Sequence, residues 1–128
     1  MNIDALKSLW KQAFGDDDAF LDLFFSTAYA PERCRWLAVE DRLAAVLYWF
    51  DCQWNGAKYA YIYAVATDNA FRGQGLCRRL MEDTHQALLT QGYAGAILVP
   101  GNEKLFALYG GMGYRPCCPI REVTVTAA

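Results

Sequence analysis

The chain has 128 residues, 55% apolar and 15% aromatic, which is enough for one hydrophobic core and argues for a single domain over residues 1–128. Its 12 basic and 14 acidic side chains leave a net charge of -2 with no basic stripe or arm, so nucleic acid is not an expected partner. No apolar run reaches the roughly 18 to 20 residues that span a bilayer. Met1-Asn2-Ile3-Asp4 lacks the basic and apolar regions of a signal peptide, and the expected location is therefore cytoplasmic, with no membrane partner.

Ile3, Leu6, Leu9, Trp10, Ala13 and Phe14 recur at helical spacing, and Gly15 follows as a C-terminal stop. Asp16 to Asp18 offer capping oxygens to a second helix with Phe20, Leu23, Phe24 and Ala28 on its apolar face, closed by Pro31. From Cys34 the pattern changes. Leu43 to Phe50 and Tyr59 to Ala66 are short, aromatic and β-branched, and read as strands. With turns at Asp41-Arg42 and Asn55-Gly56, segments near 34–40, 43–54 and 57–66 are predicted to form an antiparallel meander. After a loop from Thr67 to Gly75, the residues Leu76, Leu80, Met81, Ala87 and Leu88 define a third helix ended by Gly92. Ala94 to Val99 is a wholly apolar strand, as expected of one buried on both faces, and Pro100-Gly101 ends it. A fourth helix carries Leu105, Leu108 and Tyr109 and stops at Gly110-Gly111; Tyr114 to Cys118 and Arg121 to Thr126 supply a last pair of strands.

Five cysteines (Cys34, Cys52, Cys77, Cys117 and Cys118) show no C-x-x-C spacing, and His85 is the one histidine. Free, mostly buried thiols and no metal site are the expectation.

The segment Arg72-Gly73-Gln74-Gly75-Leu76-Cys77 joins a strand to a helix. Its glycines let backbone N–H groups approach a ligand closely, as a phosphate-cradling turn requires. A nucleotide P-loop would continue Gly-Lys-Ser/Thr, which is missing. A dinucleotide fold would place a third glycine where Arg78 stands, inside a βαβ unit, with an acidic residue about 20 positions on. None of these is present, and a coenzyme A loop is the reading that stands.

The hexapeptide resembles the Q/R-x-x-G-x-G/A signature of the GNAT superfamily of N-acetyltransferases, with Cys77 departing from the small last residue. Asn102, Leu108-Tyr109 and Gly113-Tyr114 are similar to its second signature, an Asn at a strand-to-helix turn followed by L-Y and G-F. The resemblance covers about residues 34–118 and lacks the family's usual first strand. It implies an α/β fold of the α+β type: a mixed, mainly antiparallel central sheet flanked by helices, in the order α-α-β-β-β-α-β-α-β-β. It further implies acetyl-coenzyme A as co-substrate and transfer of the acetyl group to a small-molecule or peptide amine; a homodimer is compatible with it.

By the same resemblance, the coenzyme pyrophosphate would sit on the amides of Gln74, Gly75, Leu76 and Cys77, beside Arg72 and Gly73, with Arg78 and Arg79 as further phosphate ligands or simply exposed. The pantetheine arm would run along Val65, Ala66 and Thr67. In the family this strand carries a bulge, and the Val65 N–H would face the thioester carbonyl. Tyr109 matches the family's general acid for the departing thiolate, against an alternative as core packing. Asn102 would orient the coenzyme or that tyrosine, or serve as a helix cap.

Tyr61 stands where some members carry a catalytic glutamate and is a poor base; Glu40, Asp51, Asp68 and water leave the base unassigned. The Cys77 thiol, at a helix N-terminus, could be activated or be a tolerated small side chain. His85 reads as solvated or partly packed. Tyr59, Tyr61 and Tyr63 share one strand face and read as core, with an acceptor pocket as the other role. The competing function is a non-catalytic acyl-coenzyme A binding module or sensor.

Overall fold

A computed structural model of the chain describes residues 2–98, 110–111, 114–118 and 124–127. Their elements are α1 (Ile3–Phe14), α2 (Asp18–Thr27), β1 (Cys34–Val39), β2 (Arg42–Trp54), β3 (Ala57–Thr67), α3 (Leu76–Thr90), β4 (Gly95–Leu98), β5 (Tyr114–Cys118) and β6 (Thr124–Ala127). The hydrogen-bonded strand order is β1-β2-β3-β4-β6-β5, a mixed sheet with three helices among the described residues. The fourth helix expected near Asn102 to Tyr109 falls outside them. By Cα proximity the chain forms two compact units, Met1–Tyr48 with Ala64–Met81, and Trp49–Tyr63 with Glu82–Ala128.

In the first unit, α1 starts where the Asn2 side chain accepts the Asp4 N–H at 2.7 Å and ends where Gly15, at φ 72°, donates to the Lys11 carbonyl. Glycine is the residue that enters this left-handed cap without strain. Asp17 caps α2 by accepting the Phe20 N–H at 2.9 Å. The apolar face of α2 differs from the sequence expectation: Leu21 and Phe24 are buried, whereas Phe20 and Leu23 are 44% and 62% exposed. Trp10 sets that phase. Its ring meets Phe24 at 4.8 Å and Tyr48 at 5.3 Å, and only the more distant Phe20 at 5.9 Å. The helix also stops at Ala28, whose N–H closes on Phe24, so Pro31 begins a separate 3-10 turn instead of ending α2.

The first strands pair antiparallel, from Cys34↔Tyr48 to Val39↔Arg42. Their turn is Glu40-Asp41, both left-handed at φ 51° and 64°, one residue earlier than predicted because Arg42 is already paired as β2. Leu43 to Trp49 are buried without alternation, as in a strand covered on both faces.

The second unit contains the Asn55-Gly56 turn, at φ 51° and 77°, the left-handed pair that a two-residue hairpin needs. Tyr59 to Tyr61 pair in parallel with Gly95 to Ile97, and all of β4 is buried. Antiparallel ladders join β4 to β6 and β6 to β5. The described part of the last strand runs from Thr124 to Ala127; the start predicted at Arg121 lies outside the described residues.

Tyr59, Tyr61 and Tyr63 do share a face, but it is half-buried and not core; Ala60 and Ile62, on the other face, are the buried residues. Tyr63 instead stacks on Phe50 at 4.5 Å and 7°, and Tyr59 meets the Trp54 edge at 5.5 Å. No helix among the described residues is long and apolar enough to cross a membrane.

Candidate functional site

The residues that the sequence singles out in the first unit lie on one short stretch: the end of β3, a 3-10 turn at Asn69–Phe71, the glycine loop, and the first turn of α3. Strand β3 carries an irregularity that leaves a clear trace in the backbone. Ala64 sits at φ 51°, a left-handed conformation that costs a residue with a Cβ about 1–2 kcal/mol. Such a residue redirects the strand locally. It falls on the strand to which the resemblance gives a bulge, one residue before Val65. Beyond it Val65 and Thr67 are half-buried and Ala66 is buried.

The loop returns to the left-handed region twice, at Gly73 with φ 79° and Gly75 with φ 73°. A Cβ built on either would meet no described atom within 4 Å, so the glycines serve backbone conformation. The first bond of α3 runs from Arg79 N–H to the Gly75 carbonyl at 3.1 Å. Among the described residues, the amides of Gly73, Gln74, Gly75, Leu76 and Cys77 donate to no described backbone carbonyl. A helix start leaves such donors for an anion, and the helix dipole adds partial positive charge. Arg72, Arg78 and Arg79 are exposed around it, and the Arg72 Nε donates back to the Thr67 carbonyl at 3.4 Å.

The connection between strand end and loop is fastened from behind. Asp68, 8% exposed, donates its N–H to the Ala44 carbonyl at 2.7 Å and accepts the Phe71 N–H at its own carbonyl at 2.9 Å. Its Oδ1 accepts the Ala70 N–H at 2.9 Å, and Arg42 Nη2 lies 3.2 Å from Oδ2. The Arg42 guanidinium stands 5.5 Å from the Phe71 ring centroid, and Gln12 Oε1 accepts the Asn69 N–H at 2.8 Å. A cavity of about 190 Å³ lies beside this cluster, lined by Ser8, Leu9, Gln12, Arg42 and Asp68 among others. It is below the roughly 300–1,000 Å³ of usual ligand sites, too small for a coenzyme.

These contacts decide several sequence expectations. Asp68 is committed to Arg42 and to a backbone cap, which does not suit a general base. Glu40 is exposed in the β1–β2 turn, and Asp51 accepts from Tyr93 and lies 3.9 Å from Lys58 in the second unit. Burial pushes the Cys77 thiol above the usual range, which speaks for a tolerated small side chain over an activated nucleophile. Cys34 is pushed up to about 12 and Cys52 upward, both by burial first. These three thiols are free, and half-buried where mostly buried thiols are expected.

His85, half-buried on α3, has Nε2 2.5 Å from the Tyr114 hydroxyl oxygen, and burial holds its imidazole below the usual value against an opposing effect of Glu82. Among the described residues, no three His, Cys, Asp or Glu side chains gather as a metal site would need. Asn102 and Tyr109 lie outside the described residues. The Ala64 conformation and the fastening by Arg42 and Gln12 were not anticipated; neither has a motif, and only the acid at Asp68, weighed as a base, drew attention to that position.

The sequence matches the profile of the acetyltransferase (GNAT) domain over residues 1–117. No curated protein matches it significantly. Among solved structures, the chain is similar to a GCN5-related N-acetyltransferase from Anabaena variabilis, with TM-score 0.76 and 24% identity over 91% of this chain and 30% of that one. The chain thus spans under a third of that protein. It is also similar to the ribosomal-protein-S18-alanine N-acetyltransferase of Escherichia coli (TM-score 0.72, 21% identity, 97% and 84% covered). A third likeness is to a GNAT family N-acetyltransferase from Escherichia coli in complex with CoA (TM-score 0.74, 19% identity, 98% and 74% covered).

Proposed function

Since the chain belongs to the GNAT family of acetyltransferases, we propose that it transfers an acetyl group from acetyl-coenzyme A to an amine. The carrying observation is the loop from Arg72 to Gly75. It is left-handed at two glycines, it opens a helix, and its amides are left without described backbone partners. That donor set suits a pyrophosphate, with Arg72, Arg78 and Arg79 adding charge. The amides of Gln74, Gly75, Leu76 and Cys77 would hold the pyrophosphate, and Val65, Ala66 and Thr67 would lie along the pantetheine.

In this reading the amine nitrogen attacks the thioester carbonyl carbon, and the carbonyl oxygen takes the negative charge against the Val65 N–H. The left-handed Ala64 supports that role because a residue at φ 51° reorients the peptide that follows it, as a bulge does. Collapse re-forms the carbonyl and breaks the carbon–sulfur bond; Tyr109 gives its proton to the sulfur, the ammonium proton leaves to water, and the phenolate takes a proton back from water. Asn102 would orient the coenzyme or Tyr109. One single domain over 1–128, a cytoplasmic location and a homodimer complete the proposal. The fold does not name the acceptor.

The test is free-thiol release from acetyl-coenzyme A with polyamines, arylamines and peptides, including peptides with an amino-terminal alanine. Turnover with at least one class is expected. Coenzyme A binding without release on any amine would replace the enzyme by a binding module or sensor. With an active amine in hand, Tyr109→Phe should lower kcat about ten- to a thousandfold with coenzyme affinity nearly unchanged; full activity at full stability removes Tyr109 from the mechanism.

A further inference from the structure

Between the strand end and the glycine loop stand four residues, Asp68 to Phe71, and every polar group of Asp68 described above is committed. Its N–H goes to β2 at Ala44, its carbonyl to Phe71 and its Oδ1 to Ala70. Its Oδ2 faces Arg42. A carboxylate only 8% exposed carries a desolvation cost that its bonds must offset, so a mere connector would be better served by an uncharged residue. What the charge adds here is direction. Arg42 is itself fixed at its base by its backbone pairing with Val39, and its guanidinium spans from the carboxylate to the ring of Phe71, the residue immediately before Arg72. Gln12 of α1 holds the next amide, Asn69. The turn is thus tied to α1, to β2 and to itself.

We propose that Asp68, through its pair with Arg42, is a positioning residue that sets the glycine loop relative to the end of β3, and so sets coenzyme affinity without touching the coenzyme. The inference rests on the coenzyme reading of the loop. A loop whose amides must meet a pyrophosphate gains affinity when its conformation is fixed beforehand. The two halves of such a site, pantetheine strand and phosphate loop, must also keep their spacing while the ligand is absent.

The experiment uses the whole chain and coenzyme A itself. Calorimetry gives its Kd, and amide hydrogen exchange reads Gly73 to Cys77 against α1 and β2. Asp68→Asn keeps an oxygen for the Ala70 amide and removes the charge facing Arg42. It should raise the Kd roughly tenfold or more and speed exchange in the loop while α1 and β2 stay protected. Arg42→Ala, at a largely exposed side chain, should do the same, and the double variant should lose little beyond either single one. Asp68→Ala, which also loses the cap, should bind more weakly than Asp68→Asn.

A merely structural Asp68 would speed exchange throughout the unit, and loop-specific loosening would be absent. If Asp68→Asn does not fold, Arg42→Ala decides. Folded variants with the wild-type Kd and loop exchange overturn the proposal while leaving the coenzyme reading intact. A wild-type chain that does not bind coenzyme A overturns the coenzyme reading, and the proposal with it.

Discussion

The two compact units solve different problems with different parts of the residue. The first shapes its candidate site with backbone: Ala64, Gly73 and Gly75 in the left-handed region, and helix-start amides without described backbone partners. The second invests in side chains. The Tyr93 hydroxyl accepts from Trp49 Nε1 at 3.3 Å and donates to Asp51, Lys58 stands 4.2 Å from the Tyr93 ring centroid, and His85 meets Tyr114. Trp49, Tyr93 and Tyr114 are all buried. Backbone amides recognise an anion whatever the side chains, whereas a buried side-chain network specifies one packing. Substitutions in the glycine loop of the first unit should therefore change binding more than stability, and those in the side-chain network of the second the reverse.

The largest contrast is expected at Gly75. Gly75→Val forces a β-branched residue to φ 73° and puts methyl groups where the ligand backbone contact would be. Coenzyme A binding should weaken by more than about tenfold, as calorimetry would read, while the melting transition stays cooperative. Unchanged affinity in a folded variant would show that the loop is not the phosphate site. In the second unit, Tyr93→Phe removes the hydroxyl and leaves the buried Trp49 N–H and Asp51 without it. A loss of about 1–3 kcal/mol in chemical denaturation is expected, with coenzyme affinity unchanged. A binding defect there would end the division of labour.

Ala64 sharpens the comparison further. In an ordinary strand, replacing alanine by glycine costs about 0.5–1 kcal/mol. At φ 51° the sign should reverse, because glycine sheds the roughly 1–2 kcal/mol that a Cβ costs in this region. Ala64→Gly should be at least as stable as the wild type and Ala64→Val about 1–3 kcal/mol less stable. A normal strand-like loss in the glycine variant would show that the backbone there is relaxed.

The same division explains what could be read from sequence. Gly15, Asn55-Gly56, Gly73 and Gly75 announce left-handed backbone by residue type, and the helices, the meander and the phosphate loop follow from them and from the apolar period. Ala64 gives no such sign: alanine fits a strand, and the family resemblance implies a bulge on this strand without naming the residue that makes it. The phase of α2 is not legible because five aromatic or leucine side chains, Phe20, Leu21, Leu23, Phe24 and Phe25, compete for one face, and Trp10 on another helix chooses among them. The tyrosine face has the periodicity of a core strand, but which of the two faces is buried depends on the other elements. Asp68 was visible as an acid but not as a paired one, since Arg42 lies 26 residues away.

The smallest expected effect is a pH dependence in the second unit. His85 is half-buried, its Nε2 meets the Tyr114 hydroxyl, and burial lowers its pKa from the usual 6.5, with Glu82 opposing. At pH 8 the imidazole is neutral in the folded and unfolded chains alike and contributes no slope. As pH falls through 6.5 the unfolded chain takes up a proton that the folded chain still refuses, so this group favours unfolding increasingly until pH passes below its folded pKa. The slope cannot exceed that of one proton, about 1.4 kcal/mol per pH unit. His85→Gln keeps a polar side chain at the position and removes the titration. The difference in unfolding free energy between wild type and His85→Gln, followed by denaturant melts from pH 8 to pH 5, should be flat above about 7 and turn against the wild type below it. A difference that moves in the wild type's favour on acidification would mean that the folded chain holds the charged imidazole. The His85–Tyr114 contact would then be an imidazolium bound to the phenol oxygen, and the second unit would contain a charged anchor in place of a neutral one.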